Sequence, residues 1–199
     1  PPHYITLGKE LPAKALDEIL TDHAEVFTEL KEYYKQTSES DTTKISFYED
    51  TYSLYNLYRF AHYYEEAYGK YIWLKSGASL VIEHTEAMTV IDVNTGSVLK
   101  KKKQEDTLFY QINREAAKEI ARQLRLRNIS GIIMIDFINM KDTAQKEKLL
   151  SLLDSECKKD RVHCNVIDMT ALNLVEMTRS KVRKPLHEQI RSCMKNNRS

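Results

Sequence analysis

At 199 residues the chain is long enough for one sizeable domain or two small ones, and its hydrophobic and charged fractions, 42% and 30%, exclude a disordered protein. The formal net charge of +1 neither indicates nor excludes a nucleic-acid partner, because the local distribution of charge matters more than its sum. No apolar run approaches the roughly 20 residues that a membrane helix needs, and no secretory signal is visible, so we expect no membrane partner.

The first part of the chain is expected to be mostly helical. Apolar residues recur at helical spacing across residues 11–36, and again across residues 53–68, where we expect a break inside the helical stretch. Between these stretches, the polar residues 37–43 predict a loop and the alternating residues 44–48 predict a short strand.

From residue 71 onward the pattern changes: β-branched, apolar runs alternate with segments whose apolar residues recur at helical spacing. Strands are predicted at 71–74, 79–84, 88–94, 131–137, 162–167 and 174–178, and helices at 105–127 and 143–159. The second and third strands fit an antiparallel hairpin, and the run at 131–137 is typical of a strand covered on both faces. The sequence therefore predicts an α/β fold with helices packed on a mixed sheet, and a boundary near residues 73–76.

Two aspartates stand at strand ends, where α/β proteins usually place their ligands. Asp92 lies near the end of one predicted strand and Asp136 at the end of another. Carboxylates on nearby strands could share a cation, and Mg²⁺ needs only one or two of them beside water and phosphate. Asn94, on the same strand face as Asp92, is placed to hydrogen-bond a carboxylate or a water. The pattern also fits ordinary strand-end caps, so it is not specific by itself.

Three segments around these residues closely resemble the ribonuclease E/G family. They are SLVIEHTEAMTVIDVN at 79–94, NREAAKEIARQLRLRNISGIIMIDF at 113–137 and LVEMTR at 174–179. The resemblance is strong from about residue 77 to residue 186 and weaker before residue 73. It implies a Mg²⁺-dependent endoribonuclease that cuts single-stranded RNA internally, with Mn²⁺ as an alternative ion.

The resemblance also implies residue roles and a more specific fold. The aspartates of the IDVN and IDF segments would be the metal ligands, with the asparagine of IDVN assisting. These positions are Asp92, Asp136 and Asn94. Residues 76–190 would form a deoxyribonuclease-I-like catalytic subdomain. Residues 1–75 would be the mostly helical part of a ribonuclease-H-like subdomain, and residues 191–199 a tail.

The chain departs from the family pattern in three places. No OB-fold RNA-binding domain or 5′-monophosphate pocket precedes Pro1, so we expect a piece of a longer protein. The C-terminal CPxC zinc link is absent, because Cys193 has no second cysteine beside it; we therefore expect no zinc, and a homodimer only by another route. Asn139 stands where many members have aspartate, and we assign it no catalytic role.

The cysteines indicate a compartment. There are three of them, an odd number without a CxxC pair, which is typical of reduced thiols. We therefore expect a cytoplasmic protein.

Basic residues form three groups near the predicted site, and each group has a structural and a functional interpretation. A lysine run after the Asp92 strand fits a solvated loop or RNA-backbone contacts. Arginines at the end of the long helix are favoured by the helix dipole alone. Cations on the last strand fit either an edge strand protected against aggregation or one face of an RNA groove. The predicted RNA contacts are Lys100, Lys101, Lys102, Lys103, Arg122, Arg125, Arg179 and Lys181.

Other conspicuous side chains are interpreted mainly as structural. Several tyrosines of the first part could stack bases, but their helical spacing favours core or subunit contacts. These are Tyr52, Tyr55, Tyr58, Tyr63 and Tyr64. His84, beside the hairpin turn, is expected to make a structural hydrogen bond, and Cys157 and Cys164 are expected to be buried.

Two functions are carried forward. The first is a hydrolytic, metal-dependent endoribonuclease. The second is a catalytically weak RNA-binding or assembly module derived from the same family, suggested by the absent domains and zinc link. The two differ in metal dependence, because the module would bind RNA with or without Mg²⁺ and leave it uncut.

Overall fold

A computed structural model describes residues 4–5, 17–37, 44–96 and 105–196. The chain folds as two compact units, Pro1–Tyr63 and Tyr64–Ser199. The predicted boundary between residues 75 and 76 separates the two subdomains that the family resemblance implies. It stays a prediction. In the described residues, no helix is both long and apolar enough to cross a bilayer.

The first unit contains a two-stranded parallel sheet and helices. Its elements are β1 (Glu18–Thr21), α1 (Ala24–Thr37), β2 (Lys44–Phe47) and α2 (Leu54–Leu57), and α3 (Phe60–Tyr68) begins in it. In the sheet, Ile19 pairs with Ile45. The Phe27 and Phe47 rings lie 5.4 Å apart, and Leu30 of α1 is buried.

The predictions for this unit have mixed outcomes. Of the helical stretch predicted across residues 11–36, residues 18–21 are a strand, because they pair with a segment that is distant in sequence, whereas the helix at Ala24–Thr37 is confirmed. The strand at 44–47 and the interrupted helices at 54–68 are confirmed. Ser53 caps α2 by accepting a hydrogen bond from the Asn56 N–H, and Arg59, with φ of 51°, separates α2 from α3.

The second unit is built on a six-stranded mixed sheet, which confirms the predicted α/β class. Its strands are β3 (Tyr71–Trp73), β4 (Ser79–His84), β5 (Met88–Asn94), β6 (Gly131–Asp136), β7 (Cys164–Met169) and β8 (Leu174–Arg179). Its further helices are α4 (Glu105–Leu126), α5 (Thr143–Cys157) and α6 (Leu186–Asn196). The strand order is β3-β4-β5-β6-β8-β7; β5 and β6 are parallel, and every other neighbouring pair is antiparallel.

Helices α4 and α5 cover one face of this sheet. Alternate residues of the central strands are fully buried with apolar residues of both helices. These are Leu80, Ile91, Ile133, Ile135, Val175 and Met177 from the sheet, with Ile112, Ile120, Leu124, Leu149 and Leu153 from the helices. The prediction that both faces of residues 131–137 are covered is wrong, because Ile132 is 49% exposed and Asp136 is exposed. The second face of the sheet is therefore open.

Helix α6 was not predicted and runs into the expected tail. It follows Pro185, whose carbonyl accepts hydrogen bonds from the N–H groups of Glu188 and Gln189. Proline is common at helix starts because its N–H would be unpaired there in any case, so Pro185 was the signal in the sequence. The Leu186 N–H donates to the Arg127 carbonyl, which attaches the helix to the end of α4.

Candidate active site

Asp92 and Asp136 lie side by side in the structure. They are directly opposite each other in the parallel pairing of β5 and β6, and neighbouring strands run about 4.8 Å apart. Their neighbours Ile91, Val93 and Ile135 point into the core, so both carboxylates lie on the open face. The two carboxylates can therefore contact one cation.

Asn94 orients one of these carboxylates. Its side chain lies on the same face as that of Asp92, two residues along β5, and its Nδ2 donates a hydrogen bond to Asp92 Oδ2 at 2.8 Å. This hydrogen bond restricts rotation of the Asp92 carboxyl. It engages Oδ2 and leaves Oδ1 for another contact.

The two carboxylates affect each other electrostatically. Asp136 is exposed as a residue, yet partial burial of its carboxyl raises its pKa, and the nearby negative charge of Asp92 raises that pKa further. Two adjacent carboxylates repel, so a proton or a cation between them is favoured. A divalent cation would relieve this repulsion without protonation.

Asn113 holds the segment that follows Asp136. It lies within α4 and is fully buried. Its Nδ2 donates to the Ile138 carbonyl at 2.7 Å, and its Oδ1 accepts from the Ile138 N–H at 3.0 Å. These bonds fix the chain immediately after β6, so Asn113 is a positioning residue that sequence reasoning missed. The available signal was a polar residue next to Ile112 on the apolar stripe of a long helix.

The donor set suits a hard cation. Two carboxylates beside an amide give oxygen ligands of the kind that Mg²⁺ and Mn²⁺ prefer, and Mg²⁺ keeps several waters when it has few protein ligands. In the part of the chain that the structure describes, no three His, Cys, Asp or Glu side chains are grouped to hold a metal ion. The site therefore fits an ion that takes its remaining ligands from water and substrate.

Comparison with known proteins identifies the family. The model of the ribonuclease E/G family matches residues 3–182. The chain belongs to the ribonuclease E/G family.

Curated relatives agree with this membership. Ribonuclease G of Escherichia coli (strain K12) is 38% identical over 171 residues, which are 86% of this chain and 35% of the relative. Ribonuclease G of Haemophilus influenzae is 39% identical over 171 residues, covering the same shares of the two chains. Ribonuclease E of Nostoc sp. is 34% identical over 176 residues, 87% of this chain and 26% of the relative. The chain thus spans about a third of the length of its ribonuclease G relatives.

The predicted RNA-contacting residues differ in whether the structure describes them and in the partners that they have. Lys100, Lys101, Lys102 and Lys103 lie outside the described residues. On α4, Arg122 forms ion pairs with Glu66 and Glu119. Arg125 is exposed, and its Nη1 donates to the Glu156 carbonyl at 3.4 Å.

The two basic residues near the end of β8 differ sharply. Arg179 is only 4% exposed. Its guanidinium donates to Asp160 Oδ2, Asn128 Oδ1 and the Ile129 carbonyl, each at 2.9 Å. Lys181 is exposed and pairs with Glu188 at 3.2 Å. These contacts support a structural role for Arg179, whereas Lys181 lies on the surface.

The remaining predictions have mixed outcomes. The structural hydrogen bond of His84 is confirmed, since its Nδ1 lies 3.0 Å from Thr89 Oγ1. Cys157 is buried, whereas Cys164 is only partly so. Core burial of the tyrosines of the first part is wrong, because they are about half exposed. They are Tyr52, Tyr55, Tyr58, Tyr63 and Tyr64.

Proposed function

We propose that this chain is the catalytic part of a Mg²⁺-dependent endoribonuclease that cuts single-stranded RNA internally. The observation that carries the proposal is the direct pairing of Asp92 with Asp136 on the open face, with Asn94 hydrogen-bonded to Asp92. Family membership supports the same conclusion, since the similar proteins are named ribonuclease G and ribonuclease E.

Asp92 and Asp136 would hold the metal, and Mn²⁺ could replace Mg²⁺. When bound, the ion supplies positive charge beside the scissile phosphate and a coordinated water as nucleophile. Asn94 keeps the Asp92 carboxylate in one orientation. Asn113 holds the backbone that follows Asp136. Among the predicted RNA contacts that the structure describes, the exposed Arg125 and Lys181 would contact the RNA backbone without reading its sequence.

The finer assignments belong to the same proposal. Residues 76–190 would be a deoxyribonuclease-I-like subdomain and residues 1–75 a part of a ribonuclease-H-like subdomain. Residues 191–199, which include the last turns of α6, would be the tail. The partner would be single-stranded RNA in the cytoplasm, and two copies would associate, if at all, without a zinc link. The mixed sheet with helices on one face is compatible with such a catalytic subdomain.

The test is cleavage of a labelled, AU-rich single-stranded RNA in the presence of Mg²⁺ and then of EDTA. We expect EDTA to abolish internal cuts, and Asp92→Asn or Asp136→Asn to lower the rate by about a hundredfold or more, because each removes a metal ligand. Asp168→Asn is the matched control: Asp168 is an exposed aspartate on β7 of the same sheet. Its cleavage rate should stay within about twofold of the unchanged chain.

Two results would contradict the proposal. Equal cleavage by the Asp136→Asn variant would remove the assigned metal site. Absence of cleavage in every sample, with RNA binding that is the same in Mg²⁺ and EDTA, would favour the RNA-binding module instead.

A further inference from the structure

Strand β3, at one edge of the six-stranded sheet, exposes two large aromatic side chains. Tyr71 is 60% exposed and Trp73 is 73% exposed, while Ile72 between them is 6% exposed. Successive strand residues face opposite sides of a sheet. Tyr71 and Trp73 therefore lie on the open face, and Ile72 packs toward the helices.

The pairing register places these aromatic residues in line with the candidate active site. Tyr71 pairs with Val81, and Val81 pairs with Asp92. Trp73 and Asn94 are related in the same way through the intervening strand β4, which contributes Ser79 to that row. Two strand spacings, about 10 Å, separate each aromatic residue from its counterpart in the site. The open face thus carries aromatic rings beside the paired carboxylates.

Cations lie near both rings. Lys70 Nζ lies 5.7 Å from the centroid of the Tyr71 ring and is also ion-paired with Glu83. Trp73 also borders a cleft of about 430 Å³, whose lining includes Lys75 and, from α4 on the covered side of the sheet, Lys118 and Arg125. These three cations are exposed.

The acidic side chains near this cleft already have partners. Glu66 and Glu119 pair with Arg122, and Glu115 accepts hydrogen bonds from the backbone N–H groups of Lys75 and Ser76. The acidic side chains of this cleft are therefore engaged, and Lys75 is an exposed cation beside Trp73. This combination suits a polyanion that carries flat, apolar groups.

We propose that Tyr71 and Trp73 form a nucleobase-stacking platform for single-stranded RNA next to the carboxylate pair. Aromatic side chains stack on any base, and neighbouring cations follow the phosphates, so such a platform binds single strands with little sequence preference. The inference rests on the proposed function in one respect, namely that the RNA crosses the Asp92–Asp136 pair. Stacking would then hold the strand on one side of the scissile phosphate.

Trp73 provides a direct signal, because it is the only tryptophan in the chain. The experiment titrates the 199-residue chain carrying Asp136→Asn, which keeps the RNA intact, with a labelled AU-rich single-stranded RNA. Tryptophan fluorescence reports on Trp73, and anisotropy of the labelled RNA reports on binding. An oligonucleotide of equal length with abasic sites provides the phosphates without the bases. We expect fluorescence quenching with the RNA and little change with the abasic strand.

Substitutions separate the aromatic platform from general surface effects. Trp73→Ala should raise the Kd for RNA by about tenfold, and Tyr71→Ala should raise it in the same direction. Trp73→Phe should restore most of the affinity, because it keeps a ring. The control is Ile167→Ala, which removes an exposed apolar side chain on β7 at the opposite edge of the sheet. Its Kd should stay within about twofold.

The outcomes distinguish this inference from the proposed function. RNA binding without a change in Trp73 fluorescence, or with an unchanged Kd in Trp73→Ala, overturns the platform while leaving the nuclease intact. Quenching by the abasic strand equal to that by RNA also overturns it, as does absence of RNA binding. Base-dependent quenching in a chain whose unchanged form cuts no RNA supports the platform and rejects the nuclease.

Discussion

At the scale of single residues, Asn113 shows how a side chain far from the carboxylates in sequence supports them. Asn113 is fully buried and its two hydrogen bonds to Ile138 are partly buried, so Asn113→Ala would leave a partly buried backbone N–H and carbonyl without these partners. We expect a loss of about 1–3 kcal/mol in the free energy of unfolding, measured by urea denaturation, together with reduced RNA cleavage. Gln111→Ala, on the exposed side of the same helix, is the control. Equal stability of the two variants would contradict the positioning role.

Arg179 and Lys181 provide a second contrast at this scale. Removing one partner of a buried ion pair leaves the other charge buried, so Arg179→Ala should lower the free energy of unfolding by about 3–5 kcal/mol. Lys181→Ala should change it by less than about 1 kcal/mol, because its pair with Glu188 is exposed. Urea denaturation measures both values. An Arg179→Ala variant of normal stability that bound RNA weakly would restore the predicted RNA-contact role.

The site residues differ in how far the sequence alone could predict them. Asp92 and Asp136 each follow an apolar run, and this local pattern predicts strand-end positions. Their direct pairing depends on which strands are neighbours, and a local pattern does not contain that information. Asn113 was missed for the same reason, since its partner is a backbone group 25 residues away.

At the scale of elements, the contact between β4 and α6 makes stability depend on pH. The rings of His84 and His187 stack with centroids 3.8 Å apart. Burial lowers the pKa of His84 to about 4, with the charges of His187 and Arg127 acting in the same direction. Burial also lowers the pKa of His187, although Glu188 opposes this while Arg191 and Lys181 reinforce it.

The sign of the effect follows from proton binding. An unfolded histidine has a pKa of about 6.5, so between about pH 6.5 and about pH 4 the unfolded chain binds protons that the folded chain does not. The free energy of unfolding should therefore fall as the pH is lowered through this range. Urea denaturation at several pH values measures the slope, and His84→Gln should reduce it. His163→Gln, which removes an exposed histidine, is the control variant.

Elements were predicted well wherever their pattern was long and local. The hairpin β4–β5 and the helices α4 and α5 belong to this class. Strand β1 was missed because its partner β2 is remote in sequence. The exposure of one face of β6 was also missed, because a continuous apolar run does not reveal which face a helix covers.

At the scale of the whole molecule, the second unit contains the large apolar core and the paired aspartates. All the residues of that core lie between Ile72 and Met177. We expect residues 60–199, which keep α3 complete, to unfold cooperatively in urea at a midpoint close to that of the full chain. A broad, non-cooperative transition of this fragment would show that the first unit is needed for the fold.

The parallel pairing of β5 with β6 has a consequence for when the site exists during folding. The hairpin β4–β5 is closed by a short turn, so it can form early from neighbouring residues. Its neighbour β6 can join only after the crossover through α4 has closed, which is a slower, non-local step. A chain emerging from the ribosome would carry Asp92 for some time before Asp136 arrives. Under the proposed function, the paired carboxylate site would therefore be complete only late in biosynthesis.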